Sequence, residues 1–566
     1  MQVPFHGRTV RGWIVGDTDD VPARVLQVRR ELSPVRFFDE SSLALLRWVS
    51  ERYVAPLATV IGRSHPPRVV SEETGDVPQP PGRPAPFATP APAPAPDPAA
   101  ATGPLGGYRG GPDLCAALSE HRSGAFVLRP APEDEPAVAL EAVAACLSSG
   151  RRAIVLVPEA SPPPATARLL AASLGDRVAL HLGGDRRERY RRWLDVAAGR
   201  YDVVVGTHAS VFAPLADLGL VYVARESHRA HREDRAPYYH VRDVALQRAD
   251  LAGAVCVLSA LCPSSEAAAL GLPEVAPAAR RWPPVEVVRP GPEGRAPRLV
   301  RAVRATTRGF LYAPLPGYGI AQVCRSCGAA AACAACGGAI RAEEGAVRCV
   351  VCESPGRCAA CGASDFGIRR GGAERVEEWA GALAPVPVRR AKRPRAPRDR
   401  EILVGGPEIV RDLGPLDLEL VGILEADLAE RLPGIGAREQ ALATWMEAVG
   451  WASPNGRAIV QASRTGDPAI QALVRGNPHR FHADEARRRR EAGFPVGAAV
   501  FRIAGTGEMR ERLAALQPIT LIASSTGETV VCLLAIDRSD VGRLGRLARE
   551  LAVAGVLTRV EAEPHL

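Results

Sequence analysis

Lysine is almost missing from this chain. Lysine and arginine together number 71, yet a single one is a lysine, Lys392 in the loop "RRAKRPRAPRDR". Any mechanism that needs a lysine elsewhere is excluded. Long apolar runs are missing as well: no segment approaches the ~18 residues that span a bilayer, and no secretory leader opens the sequence. A cytoplasmic protein without membrane contact is expected. Cysteine is not scarce, at 13 residues, but eight of these fall between Cys324 and Cys361. Thirteen cysteines would be unusual as disulfides in a reducing compartment, so redox wiring of the whole chain is not expected.

At 566 residues the chain is too long for one core. Its composition, 46% hydrophobic and 24% charged, is that of a globular protein. The net charge of +8 suits an acidic partner such as nucleic acid, or reflects an arginine-rich composition without binding meaning. Residues 1–67 look compact and mixed: "RTVRGWIV" and "ARVLQVRREL" alternate like strands, and "ESSLALLRWVSERYV" starts a helix behind a serine cap. Residues 68–110 form a Pro/Ala-rich linker. From 111 to 300, the buried runs "AIVLVPE", "VALHLG", "DVVVGTH", "LGLVYVA" and "AVCVLSA" alternate with helical patterns, which predicts a parallel sheet covered on both faces. The rhythm resumes at "GFLYAPL", "REILVGGPEIV" and "LELVGILEAD", a second α/β lobe over 301–498. Residues 499–566 read as a small βαββαβ domain.

The segment 322–366 is inserted in the second lobe and holds four C-x-x-C knuckles. Two residues between thiolates let both sulfurs reach one tetrahedral ion, and two knuckles complete a closed site of four thiolates. Eight ligands therefore predict two structural zinc ions. The twelve-residue gap between the inner knuckles leaves room for a hairpin. It favours Cys333, Cys336, Cys349 and Cys352 on one zinc, with Cys324, Cys327, Cys358 and Cys361 on the other. With all four ligands drawn from protein, neither ion has a position open for catalysis.

At the head of the first lobe, an apolar run at Ala125–Leu128 leads into "RPAPEDEPA" (129–137) and then a helix. Such a strand, loop and helix ordinarily binds phosphate through bare backbone N–H groups at the positive end of the helix dipole. Here prolines delete donors and three acids repel phosphate.

Two α/β lobes, a four-knuckle insertion in the second and a small domain in front resemble the primosomal protein N-prime family, superfamily 2 DNA helicases that restart stalled forks. "VPFHGRTVRGWIV" and "LLRWVSERYVAPLATVI" are similar to the family's domain that captures a 3′ DNA end. "LHLGGDRRERYRRWLDVAAGRYDVVVGTHASVFAPLADLGL" and "APYYHVRDVALQRA" follow its first lobe. "LSALCPSSEA", "GGAERVEEW" and "DPAIQALVRGNPHRFHADEARRRREAGFPV" complete the pattern. The resemblance implies two RecA-like helicase lobes, the nested zinc pairing above, and a zinc module that serves partner contacts. The chain starts close to "VPF", so either the true start lies upstream or half of the family's 3′-end pocket is missing, and the linker stands where the family has a winged helix.

The departures bear on function. The family's phosphate loop, ending in Gly-Lys-Thr, would lie at Arg129 to Ala137, with Arg129 and Glu135 among its positions. Its Asp-Glu-Glu-His motif falls on Ala224, Arg225, Glu226 and Ser227. Its arginine-bearing motif falls on "EAVGWASPNGR". Arginines that serve the γ-phosphate are worth about 10³–10⁵ in rate in related chemistry. ATP binding is therefore doubtful and no catalytic residue is assigned. Binding of forked or branched DNA and 3′ ends is expected to survive, with Arg187, Arg191, Tyr238, Tyr239, Arg487 and Arg488 as candidate contacts. The expectation is a monomeric, nucleoid-associated, replication-restart protein in primosome assembly, repair and recombination. Its partners would be other restart proteins and single-strand-binding protein. An ATP-dependent 3′-to-5′ helicase with an atypical site, and a scaffold that no longer binds DNA, are the alternatives.

Overall fold

The computed structural model describes residues 1–5, 8–19, 25, 27–73, 103–291, 294–314, 320–327, 329, 331–335, 340–343, 346–349, 352, 354–369, 372–427, 434–526 and 529–564. Most of the Pro/Ala stretch, from 74 to 102, and Cys336 lie outside the described residues.

The valine- and leucine-rich runs of the first lobe become the centre of an eight-stranded sheet. Its order is Tyr108–Arg109, Glu274–Pro277, Gly124–Leu128, Val255–Ser259, Leu218–Ala224, Arg152–Leu156, Val203–Gly206 and Val178–His181. All neighbours are parallel except the short first strand. Leu218–Ala224 is buried along its whole length, as expected of a parallel strand covered on both faces. One face packs under Gly111–Ser119, Glu135–Ser148 and Ala165–Leu174, through Leu114, Val138, Val143 and Leu170. The other face shares one core with Val241–Leu251, the N-terminal helix Glu40–Arg52 and the C-terminal sheet, where Leu46, Val49, Val244, Phe501 and Leu544 meet.

The second lobe is a six-stranded parallel sheet in the order Val285–Val288, Ala452–Gln461, Leu418–Ile423, Arg308–Tyr312, Glu401–Gly405 and Val388–Arg390. A four-stranded antiparallel sheet carries the cysteines. The last sheet is also four-stranded and antiparallel, with helices Glu508–Ala514 and Val541–Val553 completing a βαββαβ order.

Two local expectations fail near the N-terminus. The strands there are Gln2–Phe5 and Arg8–Arg11, while the described part of "ARVLQVRREL" contributes only a bridge between Gln2 and Arg30. Val25 and Val28 are exposed, so the alternation has no buried face to serve. The cap of helix Glu40–Arg52 is Asp39 rather than a serine: its Oδ1 accepts from Ser42 N at 2.7 Å. A short carboxylate meets both the free N–H and the helix dipole.

The lobes are joined by apolar packing as well as by chain. Leu261 and Cys262, which follow the lobe 1 strand Val255–Ser259, are buried in the core of lobe 2 beside Trp445, Val449 and Trp451. Truncating Leu261 to alanine is expected to cost about 2–4 kcal/mol, and Leu261→Met under ~1.5 kcal/mol, in urea unfolding followed by tryptophan fluorescence.

Candidate functional site

The cleft between the lobes, where "RPAPEDEPA" faces lobe 2, is filled by side chains. The loop forms a single turn at Pro132–Asp134 and leads into helix Glu135–Ser148. Tyr108 Oη accepts from Ala131 N at 2.8 Å and donates to Asp134 at 2.9 Å, while Arg281 holds Glu133 at 2.8 Å and also pairs with Asp134. Pro132 packs directly on Gly450 of "EAVGWASPNGR": a Cβ added to Gly450 would stand 3.0 Å from Pro132 Cβ. Arg129 pairs with Glu274 at 3.2 Å and donates across the cleft to Gly476 O at 2.7 Å.

Arg225 occupies the centre. It follows the buried Ala224 at the end of strand Leu218–Ala224, with a φ of +51°. A non-glycine residue held there costs on the order of 1–3 kcal/mol, and the conformation sets the guanidinium between the lobes. Nε and Nη2 donate to the two oxygens of Glu135 at 3.0 and 2.9 Å, and Nη1 donates to Glu447 Oε2 at 3.1 Å. Asp412 Oδ1 stands 4.0 Å away. Glu135 belongs to the first turn of its helix, so the positive dipole end faces the chain's own carboxylate. Asp412, from lobe 2, accepts from Thr166 N at 3.1 Å and thereby caps a lobe 1 helix whose own N-cap, Pro164, has no side-chain hydrogen bond.

Three carboxylates around one guanidinium leave excess negative charge in a buried place. Burial pushes Glu447 up to about 7, Arg225 opposes this, and Glu135 and Asp412 add to it. Burial likewise raises Glu135 despite Arg225.

Glu226 is fully buried and saturated. It accepts from Arg242 Nη1 at 3.0 Å, from Ser264 Oγ at 2.7 Å and from Ser264 N at 3.0 Å. Arg242 continues to Asp243 at 3.0 Å, which Arg52 reaches from the N-terminal domain at 3.1 Å and Arg538 from the C-terminal domain at 3.5 Å. A further strut crosses the cleft at Arg489, which binds Glu266 at 2.6 Å in lobe 1 and Glu439 at 3.0 Å in lobe 2.

The candidate DNA residues are scattered. Arg187 and Arg191 both pair with Glu72, in the short turn Val70–Glu72 that follows the N-terminal domain, and stay about 60% exposed. Tyr239 is buried against Phe212 and His208. Tyr238 lies under the guanidinium groups of Arg232 and Arg559. In "RRRR", Arg487 and Arg488 are exposed, the former paired with Asp484 and Glu491, and Arg489 is the buried strut. A separate open groove of about 640 Å³ runs between the lobes, lined by Arg235 and the acids Glu159, Glu233 and Asp234 of lobe 1 and by Lys392, Arg393, Arg411 and Glu408 of lobe 2. Lys392 and Arg393 are exposed there.

The thiols of Cys324, Cys327, Cys358 and Cys361 lie within 4.8 Å of one another, and so do those of Cys333, Cys349 and Cys352. Their closest separations are 3.6 Å for Cys324–Cys361 and 3.8 Å for both Cys327–Cys358 and Cys333–Cys352. Thiolates about 2.3 Å from one tetrahedral ion stand ~3.8 Å apart, so both clusters fit a metal ion.

Two parallel α/β lobes joined face to face, the second carrying a cysteine-rich insertion, make up the body of the molecule. A DEAD box protein from Methanococcus jannaschii aligns with a TM-score of 0.32 at 12% identity, over 67% of this chain and 89% of that one. The family described as 3'DNA-binding domain (3'BD) matches residues 1–66. "Replication restart protein PriA" of Treponema pallidum is 26% identical over 555 residues, 90% of this chain and 82% of its own length. "Probable replication restart protein PriA" of Mycobacterium bovis is 27% identical over 560 residues, 89% and 81% respectively. Over most of its length this chain is thus similar to proteins named replication restart protein PriA, and its first 66 residues match the 3′ DNA-binding domain.

The Arg225 cluster has a pH signature. A carboxyl raised by folding stabilises fully below its unfolded pKa, and that contribution is lost as pH rises through the folded value. For Glu447 the window runs from 4.5 to about 7. Across it, the wild-type urea midpoint carries a component that falls with rising pH, and Glu447→Gln is expected to remove that component.

Proposed function

We propose that the chain is a replication-restart factor that binds forked or branched DNA and 3′ ends without hydrolysing ATP. One observation carries this: Arg225 and its carboxylates fill the place where the family's nucleotide would sit. A triphosphate would meet Glu135, Glu447 and Asp412 in a space from which water is already excluded, and like charges that close are strongly repelled. Glu226, bound to Arg242 and Ser264, is in no position to polarise an attacking water.

DNA binding needs only cations along a suitable surface. The groove at Lys392 and Arg393 supplies them between the lobes, and the N-terminal domain adds the 3′-end site that its family description implies. Arg488 is a further candidate on the outer surface. The two cysteine clusters hold structural zinc, with Cys336 completing the second set. They give no open coordination position, so the module supports folding and contact with other restart and single-strand-binding proteins. The protein works as a monomer in the cytoplasm at the nucleoid, and among the described residues no helix is long and apolar enough to cross a membrane. Primosome assembly is the step it serves, with repair and recombination downstream.

Purified protein is expected to bind a fork with a steep salt dependence and to show no fork-stimulated ATPase. Lys392→Ala/Arg393→Ala should weaken fork binding and lower the slope of log affinity against log salt by about 2. DNA-stimulated turnover of ATP would refute the proposal. Metal analysis should return two zinc ions per chain. Cys358→Ala should lose one of them, and a chelator that strips both should unfold the insertion, since structural zinc contributes roughly 10–16 kcal/mol of binding energy to such folds.

A further inference from the structure

We propose that Arg225 replaces nucleotide as the link between the two lobes and holds them in one fixed arrangement, so that the groove around Lys392 is permanently assembled. The inference rests on the nucleotide-free function above and adds what the filled cleft does. Two-lobed enzymes that use a bound ligand to close must also reopen when it leaves. The joint here is of the opposite kind. Its centre is a guanidinium about 5% exposed, bound in lobe 1 by Glu135 and in lobe 2 by Glu447. Opening the cleft would strip Arg225 of its lobe 2 partner and break the hydrogen bond that crosses from it to Glu447.

Every surrounding contact opposes opening too. Asp412 caps helix Ala165–Leu174 from the other lobe. Glu439 accepts from Ser265 N at 3.1 Å, at the start of helix Ser265–Ala269, and Gln440 Nε2 donates to Ser227 O at 2.8 Å. Arg411 pairs with Glu159, and His482 Nε2 meets Pro263 O at 3.0 Å. Leu261 and Cys262 would be withdrawn from an apolar core. Arg411, which pairs with Glu159 at this joint, also lines the groove with Lys392 and Arg393. The geometry of the groove is therefore set by the joint and by nothing that comes and goes.

The test places fluorophores, through a non-natural amino acid, at the exposed positions Leu270 in lobe 1 and Gly381 in lobe 2 of the full chain, and reads the distance distribution by energy transfer. The wild type is expected to give one narrow distance that ATP with magnesium leaves unchanged. Asp412→Asn/Glu447→Gln removes both lobe 2 carboxylates at constant shape. It should broaden the distribution and weaken fork binding about tenfold through the disordered groove. A wild-type distance that shifts with ATP in the absence of turnover overturns the fixed joint and spares the proposed function. Turnover of ATP by the same preparation overturns the function itself. A double variant that folds and keeps the narrow distance shows that the apolar contacts hold the lobes without Arg225, and overturns its role.

Discussion

One guanidinium between two lobes organises this molecule. Arg225 would be costly to bury alone, and so would each carboxylate around it. They persist in the interior because the bidentate pair with Glu135 and the single bond to Glu447 satisfy both signs at once. The strained backbone at Arg225 belongs to the same arrangement. A residue in the left-handed region survives where its surroundings fix it, and here both lobes do the fixing. On the proposed reading the cluster does more than fill the place of a nucleotide. It sets how far apart the lobes stand, and through that distance the shape of the groove that carries Lys392.

A second consequence concerns the surrounding domains. From Glu226 the charged contacts continue through Arg242 and Asp243 to Arg52 of the first domain and Arg538 of the last. The three domains also share one apolar core. Their positions are thus tied to the same end of the lobe 1 sheet from which Arg225 projects. Asp243 is held well below the ordinary carboxylate range: burial works against this, and Arg242, Arg538 and Arg52 outweigh it.

The sequence made part of this legible for clear reasons. Runs such as "DVVVGTH" and "LGLVYVA" announce buried parallel strands because no face of theirs is polar. The cysteine knuckles announce a metal-sized cluster because their spacing leaves thiols little else to do. The departure at the phosphate-loop position was visible too, as prolines and acids where donors would be expected. What stayed hidden was that the three departures make one structure. Glu135 and Arg225 are 90 positions apart, and Arg225 and Glu447 are 222 apart. No periodicity reports a contact over such distances. Arg489 was hidden differently, inside a run of four arginines that reads as a solvated face. Only the position of its helix against lobe 1 shows which of the four is buried.

The shortage of lysine acquires a physical sense from this arrangement. A phosphate-loop lysine is a compact charge on a flexible stem, suited to a ligand that arrives and departs, and it loses its proton readily when buried. A guanidinium keeps its charge in the interior and offers five donors in a rigid plane, enough to serve two or three carboxylates from different directions. Burial alone works against the charge on Arg225, yet Glu135, Glu447 and Asp412 together more than offset it. A site that exchanges nucleotide needs the first kind of cation, and a permanent joint needs the second. In this chain the buried cleft is held by arginine, and the one lysine lies exposed on the open groove, where a mobile charge can still follow a phosphate.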